Sequence, residues 1–245
     1  MPPRKRDSVY QHPLDQLTDF EFNSQVVGVF EDMINRSVPG YGTIVHSLEQ
    51  FARLFAQDNT HCYDLGCSLG ASALSMQAGL TKKENVTIIG IDNSLDMLER
   101  ANSFINQSPN DTVIDLQHAD VLDIKIDNAS LVTLNFILQF IEPNKRDQLL
   151  SSIYQGMTKG ACLVLSEKVR FENEQLQHTI THLHHRFKSE KGYSDLEIAQ
   201  KRDSLENVMR IDTQATHVHR LQRAGFSQVQ QWYQNTAFVS YFAIK

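Results

Sequence analysis

The chain has 245 residues, 41% of them hydrophobic, 9% aromatic and 21% charged, a globular composition with enough apolar side chains for one large core. With 23 Lys and Arg against 29 Asp and Glu, the formal net charge is −6. That is the wrong sign for a protein whose work is gripping nucleic acid through its phosphates. No run reaches the ~18 apolar residues of a membrane-spanning helix.

Residues 1–20 read as an amino-terminal arm to which no role is assigned. Its basic triplet Arg4-Lys5-Arg6 leads into Asp7 and polar residues, not into the apolar run of a secretory signal. Asp7, Asp15 and Asp19 are foreign to a mitochondrial presequence. Cys62, Cys67 and Cys162 make neither an even disulfide set nor a C-x-x-C pair, and they sit in or beside apolar runs. These features predict a cytoplasmic protein, with residues 21–245 forming one domain.

In chain order, His61 to Leu65 reads as a short strand entering a glycine turn, and Ala71 to Leu80 as a helix. Val86 to Ile91 is a nearly continuous β-branched run, the pattern of a strand buried on both faces. Ser94 to Ile105 opens on an N-cap serine and sets Leu95, Leu98, Ala101 and Ile105 at helical spacing. Strands follow at Val113 to Leu116, Leu131 to Leu134 and Ala161 to Leu165, with a helix from Asn144 to Met157 that turns Leu149, Leu150 and Ile153 inward. Glu174 to Asn207 is a long polar helical stretch, read as an inserted lid or interface. Phe226 to Tyr233 and Phe238 to Ile244 form a terminal antiparallel hairpin around Gln234 to Ala237. Strand–helix alternation of this kind implies a parallel sheet covered by helices.

Ligands of such sheets bind outside the carboxyl ends of the strands. The first strand delivers Asp64-Leu65-Gly66-Cys67-Ser68-Leu69-Gly70, a G-x-x-x-G turn without the G-x-G-x-x-G or Walker spacing. The second ends in Asp92-Asn93, close to the ~20-residue distance at which an acid accepts from a ligand ribose. Capping of the helix near Ser94 is an equally open role for Asp92. His118-Ala119-Asp120-Val121 follows the third strand, offering an acid beside an apolar residue for the edge and face of an adenine. Asn135 follows the fourth. Asp64 and Gly66, Asp92, Asp120 and Asn135 together outline a nucleoside crevice. Acidic turns without a basic partner suit a cationic ligand lacking phosphate, and S-adenosylmethionine meets that demand. The predicted fold is therefore α/β and resembles the class I methyltransferase (Rossmann-like) architecture: a mostly parallel seven-stranded sheet, a C-terminal antiparallel hairpin and a helical insertion at about 174–207.

Six blocks carry a closer resemblance: Val29 to Gly42, Tyr63 to Ser75, Ile91 to Arg100, Leu134 to Pro143, Leu163 to Lys168 and Gly192 to Met209. They are similar to the carboxy-S-adenosyl-L-methionine synthases of bacteria over about Phe20 to Phe226. The resemblance implies conversion of S-adenosyl-L-methionine and prephenate to carboxy-S-adenosyl-L-methionine and phenylpyruvate. It implies a separate tRNA carboxymethyltransferase that uses the product to make 5-carboxymethoxyuridine at the wobble position. It implies ligand contacts at Tyr41, Gly66, Cys67, Ser68, Asp92, Asn93, Asp120, Val121, Asn135 and Arg202, with Arg202 holding the new carboxylate. It also implies a homodimer, for which the helical insertion is a candidate interface. No direct nucleic-acid or membrane binding is expected.

On residues alone, Arg202 belongs to a charged helix face, paired with Glu197, Asp203 or Glu206. Tyr41 after Pro39-Gly40 is either a turn aromatic closing the core or a ring over a cationic ligand. His178 and His182 have i, i+4 spacing, but no acid completes H-E-x-x-H and no cysteine is near. These two, with His184 and His185, read as packing or hydrogen-bonding groups, and no metal is expected. Ser166-Glu167-Lys168 ends the fifth strand and either meets substrate or forms an internal ion pair. Ser68 lacks a nucleophile elbow, and Cys67 reads as a backbone contact. The segment Trp232 to Ser240 lacks the Cys-Phe-Asn-Phe-Gly run of the family, so altered packing is expected there. Two other functions fit parts of the pattern: an S-adenosylmethionine-dependent methyltransferase acting on a small acid or tRNA, and a non-catalytic partner of a tRNA-modifying enzyme.

Overall fold

The computed structural model describes residues 6–13 and 19–245. Arg4, Lys5 and Asp15 lie outside the described residues. Five parallel strands, β1 (His61–Leu65), β2 (Thr87–Asp92), β3 (Ile114–His118), β4 (Ala129–Asn135) and β5 (Met157–Arg170), are followed by β6 (Asp212–Thr213), β7 (Gln228–Asn235) and β8 (Phe238–Ile244). The sheet order is β3-β2-β1-β4-β5-β8-β7, with β6 pairing beside the end of β5. Seven strands thus lie on the main path, as the sequence predicts, and the two residues of β6 are an addition too short to carry a pattern. The chain winds outward from β1 through β2 and β3, then returns to place β4 on the other side of β1. That reversal is the switch point where open α/β sheets bind ligands.

Helices α1 (Ser24–Val27), α2 (Phe30–Ser37) and α3 (Tyr41–Phe55) precede β1. The crossovers use α4 (Ala71–Gly79), α5 (Leu95–Ile105) and α6 (Pro143–Gly156). Then come α7 (Glu174–Glu190), α8 (Asp195–Leu205) and α9 (Gln214–Ala224). Leu149, Leu150 and Ile153 of α6 pack with Leu221 and Phe226 on one face of the sheet. Leu48 and Ala52 of α3 pack with Ala73 and Met76 of α4 against the opposite face. Ser94 caps α5 by accepting from the Met97 amide, as its position predicts.

The polar stretch 174–207 is two helices and not one. Gly192 takes φ +86 after α7, and Ser194 with Glu197 forms a reciprocal capping box that starts α8. The amino-terminal residues pack onto this pair. Tyr193 Oη donates to the buried Asp7 carboxylate, Tyr10 Oη and Ser204 Oγ share a hydrogen bond at 2.9 Å, and Gln200 Nε2 donates to the Tyr10 and His12 carbonyls at 2.9 Å. In the hairpin, Trp232 meets Phe51 edge-on at 5.3 Å and Phe238 meets Phe136 at 6.1 Å. No described helix is long and apolar enough to cross a membrane.

Candidate active site

A cavity of about 570 Å³ opens at the carboxyl ends of β1, β2, β3 and β4. After β1 the backbone turns through Gly66 at φ +72 and Ser68 at φ +49. A Cβ on Gly66 would stand 2.1 Å from Ile137 Cδ1, so any other residue would strain the backbone and push the Ile137 side chain aside. The Gly66 and Cys67 amides both bond the Ile91 carbonyl, at 2.8 and 2.9 Å, which binds the turn to β2.

Asp92 closes the same corner. Its Oδ2 accepts from the Ser68 amide at 2.8 Å and its Oδ1 from the Ser94 amide at 2.9 Å. The capping role is therefore present, and each oxygen retains acceptor capacity for a ligand hydroxyl. Burial pushes the Asp92 carboxyl upward, against the pull of these amides. Asp120 Oδ1 accepts from the Leu122 amide at 2.9 Å and shares the cavity wall with Val121. Asn93 lies beside them, its carbonyl 3.1 Å from His118 Nε2.

At the end of β4, Asn135 donates to Ser72 Oγ at 3.1 Å and accepts from Ser166 Oγ at 2.7 Å. These bonds fix its amide orientation toward the cavity. The next residue, Phe136, holds φ +64, a costly conformation outside glycine. Tyr41 begins α3 directly after Gly40 at φ +83, and its ring lies 6.4 Å from that of Phe136. Burial beside Asp64 and Glu31 drives its phenol strongly upward, so it stays protonated.

Nine of the ten expected ligand positions thus line one cavity: Tyr41, Gly66, Cys67, Ser68, Asp92, Asn93, Asp120, Val121 and Asn135. Arg202 is not among the residues lining it. Its side chain is 62% exposed and forks onto Asp203 Oδ1, with Nε at 2.9 Å and a terminal nitrogen at 2.8 Å, the pairing that the charged helix face suggests. Asp64 is also displaced from the expected crevice. It is fully buried, accepting from Thr133 Oγ1 at 2.9 Å and the Ala73 amide at 3.0 Å, and it anchors α4 to the sheet. Burial pushes its carboxyl up to about 7.

Glu167 and Lys168 do not pair, because neighbouring strand residues face opposite sides of a sheet. Buried Glu167 accepts from the Leu138 and Gln139 amides at 2.7 and 3.1 Å and so secures the turn Leu138–Phe140, while Lys168 lines the cavity. The histidines of α7 divide. His178 and His182 stack edge to face at 5.1 Å, and His184 donates from Nε2 to the Ser37 carbonyl at 2.8 Å. Among the described residues, no three His, Cys, Asp or Glu side chains are arranged to hold a metal. Cys62, Cys67 and Cys162 are all free and buried, and burial drives the Cys67 thiol far from its reactive range. Sequence reasoning missed Phe20, Phe22 and Phe140 in the cavity wall, and also Lys188 and Lys201. The first two had no readable signal, since nothing in an irregular segment announces where it returns.

A methyltransferase-domain family profile matches residues 63–160. The carboxy-S-adenosyl-L-methionine synthase of Shewanella halifaxensis is 48% identical over 239 residues, covering 98% of each chain. That of Idiomarina loihiensis is 46% identical over 241 residues, covering 98% of this chain and 99% of its own. The chain belongs to the carboxy-S-adenosyl-L-methionine synthase family. It shares the fold of S-adenosylmethionine-dependent enzymes. Human N-acetylserotonin methyltransferase, solved in complex with S-adenosylmethionine, superposes with TM-score 0.61 at 17% identity, covering 91% of this chain and 55% of that one. A cyclopropane synthase from Mycobacterium tuberculosis superposes with TM-score 0.55 at 11% identity, covering 76% and 62%. Family, fold class and S-adenosylmethionine dependence therefore agree with the sequence reading.

Proposed function

We propose that this family member converts S-adenosyl-L-methionine and prephenate into carboxy-S-adenosyl-L-methionine and phenylpyruvate. The observation that carries the reading is the single cavity in which the β1 turn, Asp92, Asp120 and Asn135 meet an apolar wall. Gly66, Cys67 and Ser68 would lie along the homocysteine side of the ligand, Asp92 and Asn93 at the ribose, Asp120 and Val121 at the adenine. Tyr41 and Asn135 would flank the sulfonium end.

The chemistry needs no strong protein base. A sulfonium methyl is a very weak acid, beyond the reach of any neutral-pH side chain. Prephenate loses CO₂ as its ring aromatises, and the electron pair expels the ring hydroxyl as hydroxide. In a dry site that hydroxide removes a methyl proton, giving water and a sulfonium ylide. The ylide carbon then attacks the retained CO₂, forming the carbon–carbon bond of the product. Atoms and charge balance, and catalysis rests on proximity within one cavity.

Arg202 would hold the newly formed carboxylate through its planar fork. Because its side chain points outward, it would do so in the site of a second copy. Leu176 and Leu183, seven residues apart on α7, and Leu196 on α8 leave apolar side chains exposed on the same helical pair. That surface supports the homodimer. The reaction would run in the cytoplasm and supply the enzyme that carboxymethylates wobble uridine in tRNA.

The test is mass spectrometry of the purified protein incubated with S-adenosylmethionine, with and without prephenate. A prephenate-dependent product heavier than the substrate by one CO₂, formed with phenylpyruvate, is expected. Bound but never carboxylated S-adenosylmethionine would leave the methyltransferase reading in its place.

A further inference from the structure

Three lysines from separate elements converge on the cavity: Lys168 from β5, Lys188 from α7 and Lys201 from α8. Lys188 and Lys201 are only 8% and 6% exposed. Lys201 donates to Ser37 Oγ at 3.0 Å and has the Asp7 carboxylate at 4.0 Å. Among the described residues, no acidic side chain pairs with the Lys168 or Lys188 ammonium group. The charges facing Lys188 are those of Lys201, Lys168 and Arg202, all positive, and with burial they push it down to about 7. Burial, Lys188 and Lys168 also hold the neighbouring His184 neutral, against the pull of its bond to the Ser37 carbonyl.

A buried surplus of cations is costly unless an anion answers it. The cavity is thus divided, with Asp92 and Asp120 on the β2–β3 side and lysines on the β5–α7–α8 side. One face suits a cationic nucleoside and the other an acid. Phe20, Phe22 and Phe140 supply an apolar wall between protein and solvent, joined edge to face at 5.1 and 5.6 Å.

We propose that Lys168, Lys188 and Lys201 form a carboxylate subsite for the second substrate, holding the pyruvyl carboxylate of prephenate. The inference rests on the prephenate reading above and specifies which end of that molecule is gripped. Cations on the ring carboxylate would stabilise the ground state and oppose its loss as CO₂. An ammonium beside the ring hydroxyl would quench the departing hydroxide before it reached the methyl. The pyruvyl carboxylate changes in neither step and survives into phenylpyruvate, so the lysines hold the one group that the reaction leaves alone.

The experiment titrates phenylpyruvate into the full-length protein saturated with S-adenosylhomocysteine, which has no methyl to react. Parent, Lys188→Met, Lys168→Met and Lys188→Arg are compared, alongside S-adenosylmethionine affinity and the KM for prephenate. Each methionine variant should weaken phenylpyruvate binding and raise the prephenate KM by about tenfold or more, the loss typical of a charge-assisted contact. S-adenosylmethionine affinity should be unchanged, and Lys188→Arg should retain most binding. Circular dichroism melts establish that each variant is folded, and the two methionine variants lie on different elements, so a fold defect in one leaves the other informative. Parental KM and phenylpyruvate affinity in both methionine variants would overturn the subsite while leaving the synthase reading intact. Weakened S-adenosylmethionine binding instead would also overturn it, assigning the lysines to the methionine carboxylate. A parent protein that forms no product from prephenate removes the synthase reading, and the subsite with it.

Discussion

Asp92 Oδ2 accepts a hydrogen bond from the Ser68 backbone amide at 2.8 Å. The acid that closes β2 therefore shapes the glycine turn that closes β1, and these two sides of the cavity are built as one piece. Its remaining lone pairs are what a ligand hydroxyl would meet.

Replacing this carboxylate removes the brace and the proposed ribose contact together. Hydrogen bonds to a charged group are worth about 1.5–3 kcal/mol. Asp92→Ala should therefore raise the S-adenosylmethionine Kd by roughly tenfold to a hundredfold. Asp92→Asn, which keeps one acceptor oxygen, should fall between. Calorimetric titration reads both, and parental affinity in the alanine variant would remove Asp92 from the site.

Gly66→Ala tests the turn itself. An L-residue at φ +72 costs about 1–2 kcal/mol, and the new methyl must displace Ile137. A fall of roughly 2–8 °C in Tm is expected for a chain of this size, with weaker S-adenosylmethionine binding. An unchanged melt would mean that the turn relaxes without cost.

The strands at the site were legible because each one announces its own end. Asp64-Leu65-Gly66, Ile91-Asp92 and Leu134-Asn135 all pass from apolar run to polar turn within one residue, and the switch-point rule places those ends together. What stayed hidden depends on distant contacts. The tie of Asp64 to Thr133 and Ala73 reverses its expected exposure, and no local pattern encodes it. The break between α7 and α8 was readable from Gly192 and the Ser194–Glu197 pair, but the polar run on both sides masked it. Ser166-Glu167-Lys168 reads as a substrate contact or an internal ion pair, Glu167 and Lys168 being its two charged residues. Strand alternation alone favours the former, since the two residues cannot share a face.

Glu167 makes stability pH-dependent in a defined direction. Burial pushes its folded-state carboxyl from an ordinary 4.5 up to about 8, although the Leu138 and Gln139 amides and Arg146 pull the other way. The folded chain thus keeps this proton longer than the unfolded chain. Its contribution is complete below about pH 4.5 and is lost as the pH rises toward 8. Relative to Glu167→Gln, which cannot ionise, the parent Tm should decline across that window. Thermal melts at matched ionic strength check this, and parallel curves for the two proteins would contradict it.

Arg202 separates stability from chemistry. Its pair with Asp203 joins side chains 62% and 43% exposed, and exposed pairs contribute about 0–1 kcal/mol. Arg202→Ala should therefore melt within roughly 2–4 °C of the parent and bind S-adenosylmethionine normally, yet lose carboxylated product. Mixing distinguishes the two places from which the arginine can act. In a dimer of Arg202→Ala with Asp92→Ala, one site has an intact Asp92 and faces the intact Arg202 of the other chain. Random exchange of subunits would then restore about a quarter of parental activity. Each variant alone would stay impaired. A mixture no more active than its components would place Arg202 at the site of its own chain, reached by a swing of the exposed side chain away from Asp203.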